Sequence, residues 1–320
     1  MSVFLFILTN NILPIFILIV LGYWLSKIFD FDIKTLSKLN LYLFMPSFLL
    51  VNLYESTLRL DMMLIMGFCL VFLVINDLQA RITGRLFGFD NSLTNAFKNV
   101  IMFNNTGNIG LSLITLVFST GVNLIGGKTP YLQEAQSVLI VVLIFSNITI
   151  NTVGFYNAGR ASLSFKDALK KILSMPTIYT IPIALFLQKS NTDPTGWIIW
   201  PALTYMKNAL VPMALITLGV QLSKTTVAVK DRNVYLATFT RLITGPIFAI
   251  LLISIFGFKG IVAQTLLISY SVPTAVNTAL IAVEFKTHES FTTQVVVIST
   301  IVSAITLTFA IYISQIMYRI

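Results

Sequence analysis

Apolar residues along this chain gather into ten runs, near residues 3–26, 39–54, 62–80, 99–118, 135–155, 172–187, 203–222, 234–256, 268–285 and 291–318. The charged residues collect between them. About 20 apolar residues at ~1.5 Å rise match the ~30 Å hydrocarbon core of a bilayer, so each run predicts a membrane helix. Residues 2–26 read as the first of these helices rather than a cleaved leader. No basic residue precedes the apolar stretch, and no small-x-small cleavage site follows it.

Two runs depart from the pattern. The fourth carries Asn104, Asn105, Thr106, Gly107, Asn108 and Gly110 at its centre, and the ninth carries Pro273, Thr274 and Asn277. Each unsatisfied polar group in hydrocarbon costs several kcal/mol, and each glycine costs a helix about 1 kcal/mol against alanine. Such segments are kept where the backbone breaks and lines a polar cavity. Broken helices in corresponding positions of two halves point to the binding site of a secondary transporter.

The halves correspond. Pro46 and Pro212 each centre an apolar run, MPSFLLVNL and VPMALITLGVQL, about 166 residues apart. Nearly the same offset relates the two interrupted motifs. This divides the chain into a first five-helix repeat at 1–157, a joint at 158–171 and a second repeat at 172–320. Five is odd, so the second repeat enters the membrane from the opposite side. The predicted fold is an all-α polytopic membrane protein of ten helices in two inverted repeats, with helices 4 and 9 broken.

Composition agrees with that class. The 320 residues are 56% hydrophobic and 10% charged, with mean hydropathy +0.88. Soluble domains run nearer ~25% charged. The net charge of +9 does not indicate nucleic acid, because the basic residues are spread singly over loops. Their distribution instead sets orientation. Lys27, Lys34, Lys38, Arg81, Arg85, Lys98, Arg160, Lys166, Lys170, Lys171, Lys224, Lys230, Arg232 and Lys286 follow odd-numbered runs. The loops after even ones hold only Arg59, Lys128, Lys189 and Lys259. Cytoplasmic loops carry the Lys/Arg excess, so the pattern predicts a cell-membrane protein with both termini outside the cytoplasm.

Other chemistry is sparse. GVNLIGGKT at 121–129 fails the spacing of a phosphate-binding loop. The lone His288 and lone Cys69 offer no metal site and no intramolecular disulfide, and no cofactor is expected. Charges in or beside the apolar runs remain. Asp77 and Arg81 stand four apart and share a helix face; they read either as a neutralising pair or as a proton or ion relay. Arg241 reads as a partner of Asp77 or as a side chain snorkelling inward. Lys207 reads as snorkelling to the outer face or as contacting a substrate carboxylate, and Glu284 reads as ending its helix in solvent.

NTGNIGLS at Asn105 to Ser112 resembles the N-x-G-x-x-G-L-P signature of the auxin efflux carrier family. PTAVN at Pro273 to Asn277, ILPIFILIVLGYWL, YLFMPSFLL and VPMALITLGVQLS are similar to further blocks of that family, in order along nearly the whole chain. The resemblance implies broken helices crossing at mid-membrane. It also implies secondary active transport of a small organic anion by alternating access there, the substrate being auxin-like or a carboxylate such as malate or malonate. It implies a homodimer too, and it supports the relay reading of Asp77. Ser112 replaces the family proline, so the break rests on Gly107, Gly110 and unpaired amides. The long loop of the plant carriers is absent, as in compact bacterial members. The alternative is a transport-inactive receptor or scaffold of the same fold; a membrane enzyme would need a convergent acid/base or metal cluster.

The charge pattern is tested with single cysteines at 128 and 224 on a Cys69→Ser background. A membrane-impermeant maleimide added outside intact cells is expected to label 128 and spare 224. The reverse result would turn the topology over.

Overall fold

Asp32 opens the second helix by accepting hydrogen bonds from the Lys34 and Thr35 N–H groups, at 3.1 and 3.3 Å. The Thr35 hydroxyl and these N–H groups hold its carboxyl below the usual carboxylate range. Asp90 and Asp231 cap two later helices in the same way, through the Leu93 and Asn233 N–H groups. These caps start helices earlier than apolar runs alone suggest. Lys34, Lys38 and Lys98 therefore lie inside helices rather than in loops.

The computed structural model describes residues 3–55, 61–159, 173, 176–190, 192–225 and 231–320. Its helices are α1 Val3–Ile28, α2 Ile33–Glu55 and α3 Met62–Leu86, then α4 Asn91–Met102 and α5 Thr106–Ser119. They continue with α6 Leu132–Asn157, α7 Pro176–Lys189, α8 Trp200–Ser223 and α9 Arg232–Phe256. The last three are α10 Gly260–Ser271, α11 Val276–Phe285 and α12 Glu289–Met317. No extended strand occurs among the described residues; the one inter-helix bridge pairs Asn104 with Thr274. Seven of the helices are long and apolar enough to cross a membrane. Beyond residue 159, the expected joint lies outside the described residues.

Three prolines leave a common mark. Immediately before Pro14, Pro46 and Pro246, the Leu13, Met45 and Gly245 N–H groups reach back five residues to the Leu8, Asn40 and Thr240 carbonyls. Proline has no N–H and crowds the carbonyl four residues back. One widened π turn takes up that conflict without ending the helix. The same turn precedes Ser112, where the Leu111 N–H reaches the Thr106 carbonyl. The Ser112 hydroxyl donates to the Asn108 carbonyl at 2.7 Å.

Two bundles result. In one, α1 packs along α8, and α2 packs on α7 and α8; in the other, α3–α6 pack with α9–α12. Close approach in the first depends on two glycines. A Cβ added at Gly22 would overlap the Ile216 carbonyl, and one at Gly219 would overlap the Ile19 carbonyl. Small residues let membrane helices approach in this way.

Gly219→Ala is expected to cost about 1–3 kcal/mol by overpacking. The readout is a lower thermal midpoint in detergent. Gly67→Ala is the control, since its Cβ would meet only the Phe256 ring at an ordinary 3.5 Å.

Candidate functional site

The chain breaks at 103–105, between α4 and α5, and again at 272–275, between α10 and α11. A broken helix leaves carbonyls unpaired at the end of one half and N–H groups unpaired at the start of the other. In the membrane interior no water meets them. Here the two breaks satisfy each other. The Asn105 N–H donates to the Pro273 carbonyl at 2.8 Å, and the Ala275 N–H donates to the Phe103 carbonyl at 2.9 Å. Pro273 cannot donate to the Ser269 carbonyl four residues back. Asn104 Nδ2 takes that acceptor at 2.8 Å. The Thr274 hydroxyl donates to the Val100 carbonyl at 2.8 Å.

Arg241, on α9, completes the set. Its Nη1 donates to the Ile101 carbonyl at 3.1 Å, Nη2 to Tyr270 at 2.9 Å and Nε to Val272 at 3.0 Å. Only 1% of its surface is exposed. It neither pairs with Asp77 nor snorkels to an interface. Instead it clamps the carbonyl ends of α4 and α10. Asp77 has other partners, Arg81 Nε at 2.5 Å and Lys98 Nζ at 3.0 Å. Lys98, read as a loop residue, is 5% exposed and part of this cluster. Lys207 pairs with Glu55 at 3.0 Å, at the α2–α8 end away from the breaks, and Glu284 is exposed near the end of α11.

The N-terminal ends of α5 and α11 face a cavity of about 300 Å³ between the two bundles. Asn104, Asn105, Thr106, Gly107, Asn108 and Asn277 line it; Gly110, Pro273 and Thr274 do not. Gly110 instead packs against Thr106, and Pro273 and Thr274 are consumed by the crossing itself. The rest of the lining includes Ser37 and Asn40 of α2, Ser146 and Asn147 of α6, and Thr217 and Gln221 of α8. These six polar residues were not picked out from the sequence. The signal was present in Asn147 and Thr217, which interrupt apolar runs. Ser37 was hidden because the start of α2 read as a loop, whereas Asn40 stood just inside the second apolar run. Among the described residues, the lining contains no ionisable side chain. Asn105 Nδ2 and Thr106 Oγ1 are buried and have no hydrogen-bond partner. Buried polar groups are ordinarily paired, so these two stand unsatisfied beside the cavity.

Comparison with known proteins places the chain among membrane transport proteins. A family model described as membrane transport protein matches residues 7–164 and 160–311. The chain belongs to this family, that of the auxin efflux carriers. It is 22% identical over 304 residues to an uncharacterized transporter of Methanothermobacter thermautotrophicus, covering 93% of this chain and 96% of the relative. It is 25% identical over 286 residues to an uncharacterized transporter of Methanocaldococcus jannaschii, covering 86% and 88%.

Asn104→Leu and Thr274→Val each leave a buried carbonyl without its donor. Each is expected to cost about 1–3 kcal/mol, read as a drop in thermal midpoint. Asn105→Ala removes a side-chain donor that has no partner, and should leave the midpoint nearly unchanged.

Proposed function

We propose that this protein is a secondary active transporter of a small organic anion, a carboxylate such as malate or malonate or an auxin-like acid. The anion sits in the cavity at the crossing of the two broken helices. The observation that carries this reading is the uncharged lining, part amide and hydroxyl and part apolar, with the unpartnered Asn105 amide and Thr106 hydroxyl. A carboxylate leaving water needs fixed donors in exchange. The N-termini of α5 and α11 offer main-chain N–H groups and partial positive charge. Asn108 and Asn277 add amides. Neutral donors suit transport, because a site facing both sides in turn must release what it binds.

The proposed architecture is ten spans in two inverted repeats. α4 has 12 residues and α10 has 12. At 1.5 Å per residue neither crosses a bilayer alone, so α4 with α5 forms span 4 and α10 with α11 forms span 9. The packing supports a two-fold relation in the membrane plane. α1 on α8 (spans 1 and 7) is mirrored by α7 on α2 (spans 6 and 2), and α6 on α10 by α12 on α4.

Alternating access fits the distribution of contacts. The cavity runs along α2 to Ser37 and along α8 to Gln221, ends that the charge pattern assigns to the cytoplasm. At the opposite end Glu55 pairs with Lys207. There Gln188 donates to the Leu53 and Tyr54 carbonyls at 2.7 and 3.0 Å, and Gln133 donates to the Glu55 carbonyl. The described state is thus read as inward-facing, in a cell membrane with both termini outside. Asp77, Arg81 and Lys98 form the proposed proton or ion coupling cluster, and a homodimer is the proposed assembly.

Uptake of labelled malate, malonate and indole-3-acetate into proteoliposomes, with and without an imposed potential, tests the reading. Asn105→Ala and Asn277→Ala are each expected to weaken affinity about 5- to 150-fold, the equivalent of ~1–3 kcal/mol for one lost donor. Lys207→Ala should do much less. Parental affinity and uptake in both asparagine variants would make the crossing purely structural. Retained binding with no uptake by the parent would mark a receptor instead.

A further inference from the structure

A crossing of two broken helices is not, by itself, an anion site. Each helix end carries about half an elementary charge, positive at the N-terminus and negative at the C-terminus. Where α4 meets α5 and α10 meets α11, two ends of each sign come together. The four sum to roughly zero, so the N-terminal ends of α5 and α11 would be cancelled by the C-terminal ends of α4 and α10.

Arg241 changes that balance. All three of its hydrogen bonds go to carbonyls at the ends of α4 and α10, and none goes to α5 or α11. None of the ion pairs among the described residues involves it. Its charge is therefore not neutralised by a carboxylate, but spent on the two carbonyl ends. It is not part of the cavity lining. A guanidinium stays charged in a protein and its planar fork serves several acceptors at once.

We propose that Arg241 is the specificity-determining positioning residue of the crossing. It cancels the C-terminal ends of α4 and α10, so that the N-terminal ends of α5 and α11 act on the cavity unopposed. The inference rests on the anion-site reading and explains its electrostatics. The site carries a net charge of about +1 although no cation touches the solute. Anion preference is thereby separated from contact: Asn105 and its neighbours hold the solute, and Arg241 decides what charge is held.

The test measures discrimination rather than affinity. Binding of malonate against malonamide, and of indole-3-acetate against indole-3-acetamide, is measured by calorimetry on the purified full chain. The parent is expected to prefer the acid of each pair. Arg241→Gln is expected to lose about tenfold of that preference while still binding the amide. Arg241→Lys keeps the charge and is expected to retain most of the preference even where its thermal midpoint falls. A purely structural arginine would lower the midpoint without moving the acid-to-amide ratio. Full preference in folded Arg241→Gln, or lost preference in folded Arg241→Lys, overturns the proposal. If Arg241→Gln does not fold, Arg241→Lys decides. If neither folds, Arg241 belongs to the fold alone and the proposal is again overturned. A parent without acid preference fails the anion reading itself, which is a different result from a parental preference that Arg241→Gln leaves intact.

Discussion

Hydrocarbon accepts and donates no hydrogen bonds, and a backbone that leaves the helix inside it must find every partner within the protein. That constraint explains the crossing more fully than any ligand does. The breaks do not merely sit side by side. Main chain bonds main chain through Asn105 to Pro273 and Ala275 to Phe103. Side chains then supply what the main chain lacks: Asn104 for Ser269, Thr274 for Val100, and Arg241 for Ile101, Tyr270 and Val272. Only after this exchange are polar atoms left over beside the cavity.

The same exchange marks how far the sequence could be read. Apolar runs, the two polar interruptions and the paired prolines were legible, because hydropathy and proline chemistry act over short range. The sorting of the interrupted motifs was not. Asn104 and Asn105 are adjacent and chemically identical, yet the Nδ2 of one is bound to Ser269 and that of the other is free. Thr106 and Thr274 differ in the same way. Which amide is spent on the fold depends on a carbonyl about 165 residues away, and no local pattern encodes it. Lys98 was misread for a related reason: Asp90 starts α4 early and carries Lys98 inside, onto Asp77.

Ser112 shows how a departure from a motif can preserve the geometry. At three other widened turns a proline follows. Here the turn persists with a serine in that place, and the hydroxyl takes the Asn108 carbonyl. The first turn of α5 thus keeps its shape, and Thr106, Gly107 and Asn108 keep their places on the cavity. Loss of the proline is therefore weak grounds for expecting loss of activity.

The Arg241 clamp also bears on the order of biosynthesis. Of its three acceptors, Ile101 precedes it in the chain, but Tyr270 and Val272 follow it by 29 and 31 residues. When α9 leaves the ribosome and meets the membrane, two of those carbonyls have not yet been inserted. An arginine near the middle of an inserting helix costs about 2.5–3.5 kcal/mol on translocon scales. The most apolar 18-residue stretch of that helix, with a mean hydropathy of 2.0, can offset that cost. Even so, the clamp closes only after α10 arrives. The second half of the crossing is thus assembled around a charge already waiting in the membrane, so the last three helices complete the site as well as the fold.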